Sequence, residues 1–215
     1  MTDETAPVIP AEVEEEGNKI ATERLVFFSD AVIAIAITLL ALELPIPEGP
    51  TTALSWQSFR GHFEDYLAFL ISFVVIANSW FSHHWLYRYV ERVHRRVAGI
   101  NMFWLLTVVV TPFATRVLVG DKTAFPMAFT LYAGIQAAAQ LTFVALIVTI
   151  RRDHLTAAEV PPGFYNRGIS RSLSMAIAFL ISVPIAYRSH WAFAIWALNG
   201  YVARLITYLI TRKRH

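Results

Sequence analysis

The first long apolar segment of the chain reads RLVFFSDAVIAIAITLLALEL and occupies residues 24–44. A helix needs about 20 mostly apolar residues to cross the roughly 30 Å hydrocarbon core of a bilayer. Between Arg24 and Glu43 the segment contains one charged residue, Asp30, and it runs into the breaker PIP at residues 45–47. We therefore expect a transmembrane helix over about residues 25–44.

The composition of the whole chain agrees with a membrane protein. Of the 215 residues, 56% are hydrophobic and 16% are charged, whereas soluble domains have about 25% charged residues. A folded surface made from this composition has too few charges to face water on all sides. The composition therefore excludes a disordered chain and an ordinary soluble enzyme. The absence of cysteine excludes a disulfide scaffold and Cys-ligated metal centres, and a net charge of +2 gives no indication of a nucleic-acid partner.

Five further apolar runs follow the first. They cover about residues 66–87, 97–119, 124–150, 170–187 and 191–210. Residues 1–18 are acidic and contain no apolar run. We therefore predict an all-α integral membrane bundle of six transmembrane helices over residues 19–215, preceded by a disordered acidic tail over residues 1–18.

The positions of the basic residues predict the orientation. Most of the 18 Lys and Arg residues lie before the first span, between spans two and three, between spans four and five, and after the sixth. All these segments lie on the same side of a six-span bundle. Because positively charged loops remain in the cytoplasm, we expect both termini to be cytoplasmic.

Asp30 is the feature of the first span that apolar packing does not explain. A carboxylate inside a membrane is costly, and it normally faces the bundle and has a partner. Arg24, Ser29 and the imidazoles of His83 and His84 are the candidate partners. The residues alone leave three roles open for Asp30: a structural polar lock, a proton relay, or an ion ligand.

His83 and His84 lie near the end of the second span, in the stretch SWFSHH. Adjacent residues on a helix point about 100° apart, so the two imidazoles cannot both face one partner or ligate one metal ion. We therefore predict no metal site here and no haem. One His is expected to bond Asp30 or Ser29, and the other is expected to meet a Trp or water.

An apolar stripe follows one face of the first span. Ile35, Leu39 and Leu42 have the i, i+4, i+7 spacing of a helical face, Thr38 lies at its edge, and Asp30 points away from it. The stripe fits either core packing or the wall of a symmetric pore that gates by dewetting. Periodicity does not separate the two. Gln136, Gln140 and Asn101 fit interhelical packing, and the chain contains no enzyme signature.

The run from Arg24 through Phe28, Ser29 and Asp30 into the apolar helix resembles the signature first helix of the transmembrane protein 175 (TMEM175) family, the lysosomal potassium channels and their prokaryotic relatives. The stretch from Trp80 to His84 is similar to the second marker of that family. Six spans in 215 residues resemble the short prokaryotic form, which has one six-helix repeat per chain. The resemblance implies a homotetramer with a central pore.

The resemblance also implies roles for individual residues. The first helices of four subunits would line the pore. The implied pore constriction consists of Ile35, Leu39 and Leu42, and the implied selectivity residue is Thr38. The implied polar lock consists of Arg24, Ser29, Asp30, Trp80, His83 and His84. Glu43 would lie at the outer mouth. The implied function is passive conduction of K+ and other monovalent cations across the plasma membrane, with a modest preference for K+ over Na+. It involves the lipid bilayer and no cofactor, metal or nucleic acid.

The alternative function is a proton-coupled secondary transporter in which Asp30 and His83 or His84 titrate. It predicts saturable transport that a pH gradient drives, whereas a channel passes a flux that does not saturate like a carrier. The sequence does not indicate what opens the pore.

Overall fold

The computed structural model describes residues 11–120, 125–157 and 159–188, and this part of the chain forms an all-α bundle. Its helices are α1 (Ala11–Ala41), α2 (Thr52–Gly61), α3 (Phe63–Tyr87), α4 (Arg95–Val119), α5 (Phe125–Arg152) and α6 (Phe164–Ala186). All except α2 are long and apolar enough to cross a membrane. They correspond to the first five predicted spans, and the predicted sixth span, residues 191–210, lies outside the described residues.

Helix α1 extends further toward the N-terminus than the apolar run predicts. It begins at Ala11, so the second half of the segment expected to be disordered is helical. Glutamate is a good helix former and is favoured near a helix N-terminus, where the helix dipole is positive. At the other end α1 stops at Ala41, and Leu42 lies in a turn in which its amide donates to the Leu39 carbonyl at 3.1 Å.

Helix α2 is absent from the sequence-based prediction. Thr51 has extended backbone angles, and its side chain accepts a hydrogen bond from the Leu54 amide, which makes it the N-cap. His62 ends α2 and begins α3. Helix α6 also differs from the prediction, since it begins at Phe164 rather than near residue 170 and is therefore longer than the fifth apolar run.

The helices pack in an order that leaves α1 on one side of the bundle. Helix α1 packs against α3 and α4, α4 packs against α5, and α5 packs against α6. The face of α1 that meets its neighbours consists of Ile33, Ala36 and Leu40, each 1% exposed. Large side chains such as Trp104 fill the interior between these helices, so the opposite face of α1 is left outside the core.

One end of the bundle, called the arginine-rich end below, contains Arg88, Arg92, Arg95, Arg96, Arg151, Arg152 and Arg167. Two loops at this end are joined by hydrogen bonds. The Glu91 amide donates to the Leu155 carbonyl at 3.0 Å, and the Ala157 amide donates to the Tyr89 carbonyl at 2.9 Å. His94 Nε2 lies 2.9 Å from the Asp153 carboxylate. These contacts join the α3–α4 loop to the α5–α6 loop.

Candidate functional site

The apolar stripe of α1 lies on its exposed face. Ile35 is 58% exposed, Leu39 45% and Leu42 79%, whereas Ile33 and Leu40, their neighbours on the opposite face, are buried. The stripe therefore does not pack in the core of the described subunit. It is available either to lipid or to another copy of the chain.

Thr38 lies on the same exposed face, between Ile35 and Leu39. Its hydroxyl donates to the Ile35 carbonyl at 2.8 Å. This bond within the helix satisfies the hydroxyl proton and leaves oxygen lone pairs free to accept. Phe28 and Ala31 continue the exposed face toward the arginine-rich end.

Asn101 of α4 connects α1 to α3 through buried hydrogen bonds. Its Nδ2 donates to Ser29 Oγ at 2.9 Å. Its Oδ1 accepts from His83 Nε2 at 3.0 Å and from the Tyr87 hydroxyl at 3.3 Å. Ser29, His83 and Asn101 are each 0% exposed, and Ser29 also donates to the Leu25 carbonyl. One amide thus fixes the relative positions of three helices.

Asp30 is paired with Trp80, one of the residues that the family resemblance assigns to the polar lock. The indole Nε1 of Trp80 donates to its carboxylate at 2.9 Å, and His84 stacks on Trp80 with ring centroids 5.6 Å apart. The expected contact of one His with a Trp is therefore present. The expected direct bond from a His to Asp30 or Ser29 is not, because the His83 ring faces α4 and reaches Asn101 instead.

Arg24 is exposed and lies apart from Ser29 and Asp30. It lines a groove between the middle of α1 and the beginning of α4, together with Phe28 and Met102. In the part of the chain that the structure describes, Arg24 forms no ion pair or hydrogen bond with the Ser29–Asp30 pair. The predicted role of Arg24 in the polar lock therefore has no corresponding contact among the described residues of one subunit.

Asn101 and Tyr87 are the members of the network that sequence reasoning missed. From the sequence Asn101 fits only general interhelical packing, although an amide in an apolar run costs several kcal/mol if it stays unpaired in hydrocarbon. That cost indicates that the Asn101 amide has specific hydrogen-bond partners. The identity of the partners depends on the rotation of three helices, which periodicity does not give.

A second buried polar group joins α3, α4 and α5. Ser72 Oγ accepts from Thr115 at 2.8 Å and lies 3.1 Å from the Tyr132 hydroxyl. Gln136 Nε2 donates to Thr111 at 3.1 Å. These bonds agree with the interpretation of Gln136 as an interhelical packing residue.

Glu43 lies just beyond the end of α1 and is paired. Its carboxylate is 3.3 Å from the guanidinium of Arg116 on α4. The pair is largely exposed, so its contribution to stability is at most about 1 kcal/mol. Its effect is to reduce the negative charge at this end of the stripe.

Comparison with known proteins identifies the family. A family model described as "Endosomal/lysosomal potassium channel TMEM175" matches residues 24–112. A potassium channel from Chamaesiphon minutus is 31% identical over an alignment of 194 positions, which covers 79% of this chain and 95% of that protein. A potassium channel from Streptomyces collinus is 29% identical over an alignment of 185 positions, which covers 80% of this chain and 89% of the relative.

The fold is similar to that of a solved structure. The crystal structure of a lysosomal potassium-selective channel TMEM175 homolog from Chamaesiphon minutus superposes with a TM-score of 0.69 at 27% identity, covering 85% of this chain and 96% of that one. The region that the family model matches contains the C-terminal part of α1, all of α3 and most of α4. The chain therefore belongs to the TMEM175 family, a family of ion channels and not of enzymes.

Proposed function

We propose that this protein is a potassium-permeable channel in which four copies of the chain surround a pore lined by α1. The observation that carries the proposal is the exposed stripe of Ile35, Leu39 and Leu42 on a helix whose opposite face is buried. The relatives that are named as potassium channels support the assignment of the permeant ion.

In this proposal the stripe forms the constriction. Four copies of Ile35, Leu39 and Leu42 would make apolar layers that an ion passes only after losing part of its hydration shell. Sodium holds its water more tightly than potassium, so dehydration gives a modest preference for K+. Thr38 would add hydroxyl oxygens beside these layers and contribute to selectivity. Glu43 would lie at the outer mouth, partly neutralised by Arg116.

The polar contacts of α1 would act as a lock that sets its rotation. Ser29 and Asp30 bond to Asn101 and Trp80, on the side of α1 away from the stripe. A shift of one residue along the helix turns each side chain by about 100°. Such a shift would break both bonds and turn the stripe away from the pore axis. In this role Asp30 orients the helix and does not bind the permeant ion.

The remaining parts of the proposal concern placement. Residues 19–215 would form the channel domain, and residues 1–18 would precede it. The arginine-rich loops would face the cytoplasm with both termini, and the channel would conduct across the plasma membrane.

The test is potassium efflux from proteoliposomes under a K+ gradient. The wild-type protein is expected to pass K+ faster than Na+, with a flux that does not saturate. Replacing Leu39 or Ile35 with Ala widens the apolar layers and is expected to raise flux and weaken selectivity. Leu70→Ala is the control, because Leu70 is 55% exposed on α3 and outside the proposed pore. Equal flux and selectivity in all four proteins would contradict the pore assignment.

Two measurements separate the channel from the proton-coupled transporter. Native mass spectrometry is expected to give four times the chain mass of 24.3 kDa. Asp30→Asn is expected to retain potassium flux, because an amide oxygen still accepts the Trp80 N–H bond. Loss of transport in Asp30→Asn, together with a monomeric mass and saturable kinetics, would favour the transporter.

A further inference from the structure

A cavity of about 680 Å³ lies between α3 and α6 at the arginine-rich end of the bundle. Three guanidinium groups line it, those of Arg88, Arg167 and Arg171. Ser82 and His84 add polar groups from α3, and no described residue of the lining is acidic. Three positive charges around one cavity without a carboxylate repel one another, and an anion would relieve that repulsion.

Part of the cavity wall is aromatic, since Trp85, Tyr89 and Phe164 are among the residues that line it. Trp85 stacks on Phe164 with ring centroids 4.0 Å apart, and Tyr89 meets Phe164 edge to face at 5.0 Å. Gly168 permits this arrangement, because a Cβ at that position would lie 3.1 Å from the Trp85 ring. The cavity therefore combines a charged rim with an apolar wall that packing holds in place.

Two of the arginines are already positioned. Arg171 donates to Asn78 Oδ1 on α3, and Arg167 Nη2 donates to the Pro162 carbonyl at 2.6 Å. A guanidinium has five N–H donors, so each group retains donors for a ligand. A positioned, planar guanidinium suits the bidentate binding of a phosphate.

We infer that this cavity binds the headgroup of an anionic glycerophospholipid. The arginines would hold the phosphate, and the aromatic wall would contact the glycerol and the first part of the acyl chains. The location favours a lipid over a soluble anion, since Arg88 and Arg167 lie at the ends of membrane-spanning helices, at the level where headgroups are found. Basic pockets between transmembrane helices bind such headgroups in other proteins.

The test measures which lipid stays bound to the whole protein. The protein is purified in detergent with equal amounts of phosphatidylglycerol and phosphatidylcholine, and native mass spectrometry counts the retained lipids. The test variant is Arg88→Gln/Arg167→Gln/Arg171→Gln. The matched control is Arg92→Gln/Arg96→Gln/Arg152→Gln, which removes the same charge from exposed positions outside the cavity.

The wild type and the control are expected to prefer phosphatidylglycerol, and the test variant is expected to lose that preference by about tenfold or more. If the triple variant fails to fold, Arg88→Gln alone removes an exposed side chain and is expected to lower the preference about fivefold. Equal retention of both lipids, an equal loss in the control, or inorganic phosphate binding without lipid enrichment would overturn the inference. Protein atoms filling the cavity in the assembled structure would also overturn it.

Discussion

Replacing Asn101 with Leu removes the amide that joins three helices. The change deletes the hydrogen bonds to Ser29, His83 and Tyr87. Leucine has a similar volume, so the cavity cost is small and the lost bonds dominate. Ser29 keeps its bond to the Leu25 carbonyl, whereas His83 Nε2 loses the partner it has in the described structure.

The magnitude follows from the number of bonds and their burial. Interhelical hydrogen bonds in membranes contribute about 0.6 kcal/mol on average and up to about 1.7 kcal/mol. Three bonds at a fully buried site therefore give a loss of about 2–4 kcal/mol in the free energy of unfolding. For a chain of this size each kcal/mol lowers Tm by about 2–4 °C, so we expect a decrease of about 4–16 °C.

The assay is thermal unfolding of the detergent-solubilised protein. Gln140→Leu is the control, because it is also an amide-to-leucine change in a spanning helix, and Gln140 has no hydrogen bond among the described residues. The double variant His83→Phe/Asn101→Leu removes both partners of one hydrogen bond and leaves neither group unpaired. Its loss in the free energy of unfolding is therefore expected to be about 1 kcal/mol smaller than the sum of the losses in the two single variants.

Two results would refute this reasoning. One is a Tm for Asn101→Leu no lower than that of Gln140→Leu. The other is a strictly additive effect of the His83 and Asn101 changes. The first would mean that the amide does not hold the helices together, and the second would mean that it does not act through His83.

Two further predictions concern buried contacts. Tyr132→Phe deletes the hydroxyl that lies 3.1 Å from Ser72 and is expected to lower the free energy of unfolding by about 1 kcal/mol. Thermal unfolding measures this loss, and an unchanged Tm would contradict a stabilising hydrogen bond between the two residues. Gly168→Ala places a methyl group 3.0 Å from Ile147 Cδ1 and 3.1 Å from Trp85, and overpacking costs about 1–3 kcal/mol. We expect a net loss of about 1 kcal/mol in the same assay, since the better helix propensity of Ala offsets part of the cost, and a higher Tm would show that the neighbours move without strain.

The spanning helices were predictable because hydropathy and length determine them. The runs at residues 66–87, 97–119 and 124–150 agree with α3, α4 and α5 to within a few residues. The i, i+4, i+7 spacing places Ile35 and Leu39 on one face of α1, but periodicity does not show whether that face is buried. Only the structure shows that Ile35 and Leu39 are exposed and that Ile33 and Leu40 are buried. Helix α2 was missed because it is short, although Thr51 and the polar residues after it form a capped helix start.

The partners of the polar residues were not predictable in the same way. The sequence indicates that Asp30 and His83 need partners inside the bundle, because unpaired polar groups are costly there. It does not fix the rotation and depth of α3 and α4 relative to α1. A rotation of α3 by the angle between two successive residues decides whether His83 meets Asp30 or Asn101. Only the packed structure therefore shows that Asn101 is the centre of the network.

The central claim is that the exposed face of α1 lines the ion path, and the absence of native cysteine allows a direct test. Leu39→Cys and Leu40→Cys introduce one thiol each at adjacent positions, the first 45% exposed and the second 1% exposed. Potassium flux is measured before and after treatment with a membrane-impermeant cationic thiol reagent. The proposal predicts that the reagent blocks flux through Leu39→Cys and leaves Leu40→Cys unchanged. Mass spectrometry confirms that the reagent has modified the thiol of Leu39→Cys. If that modified channel still conducts potassium at an unchanged rate, the result contradicts the proposal.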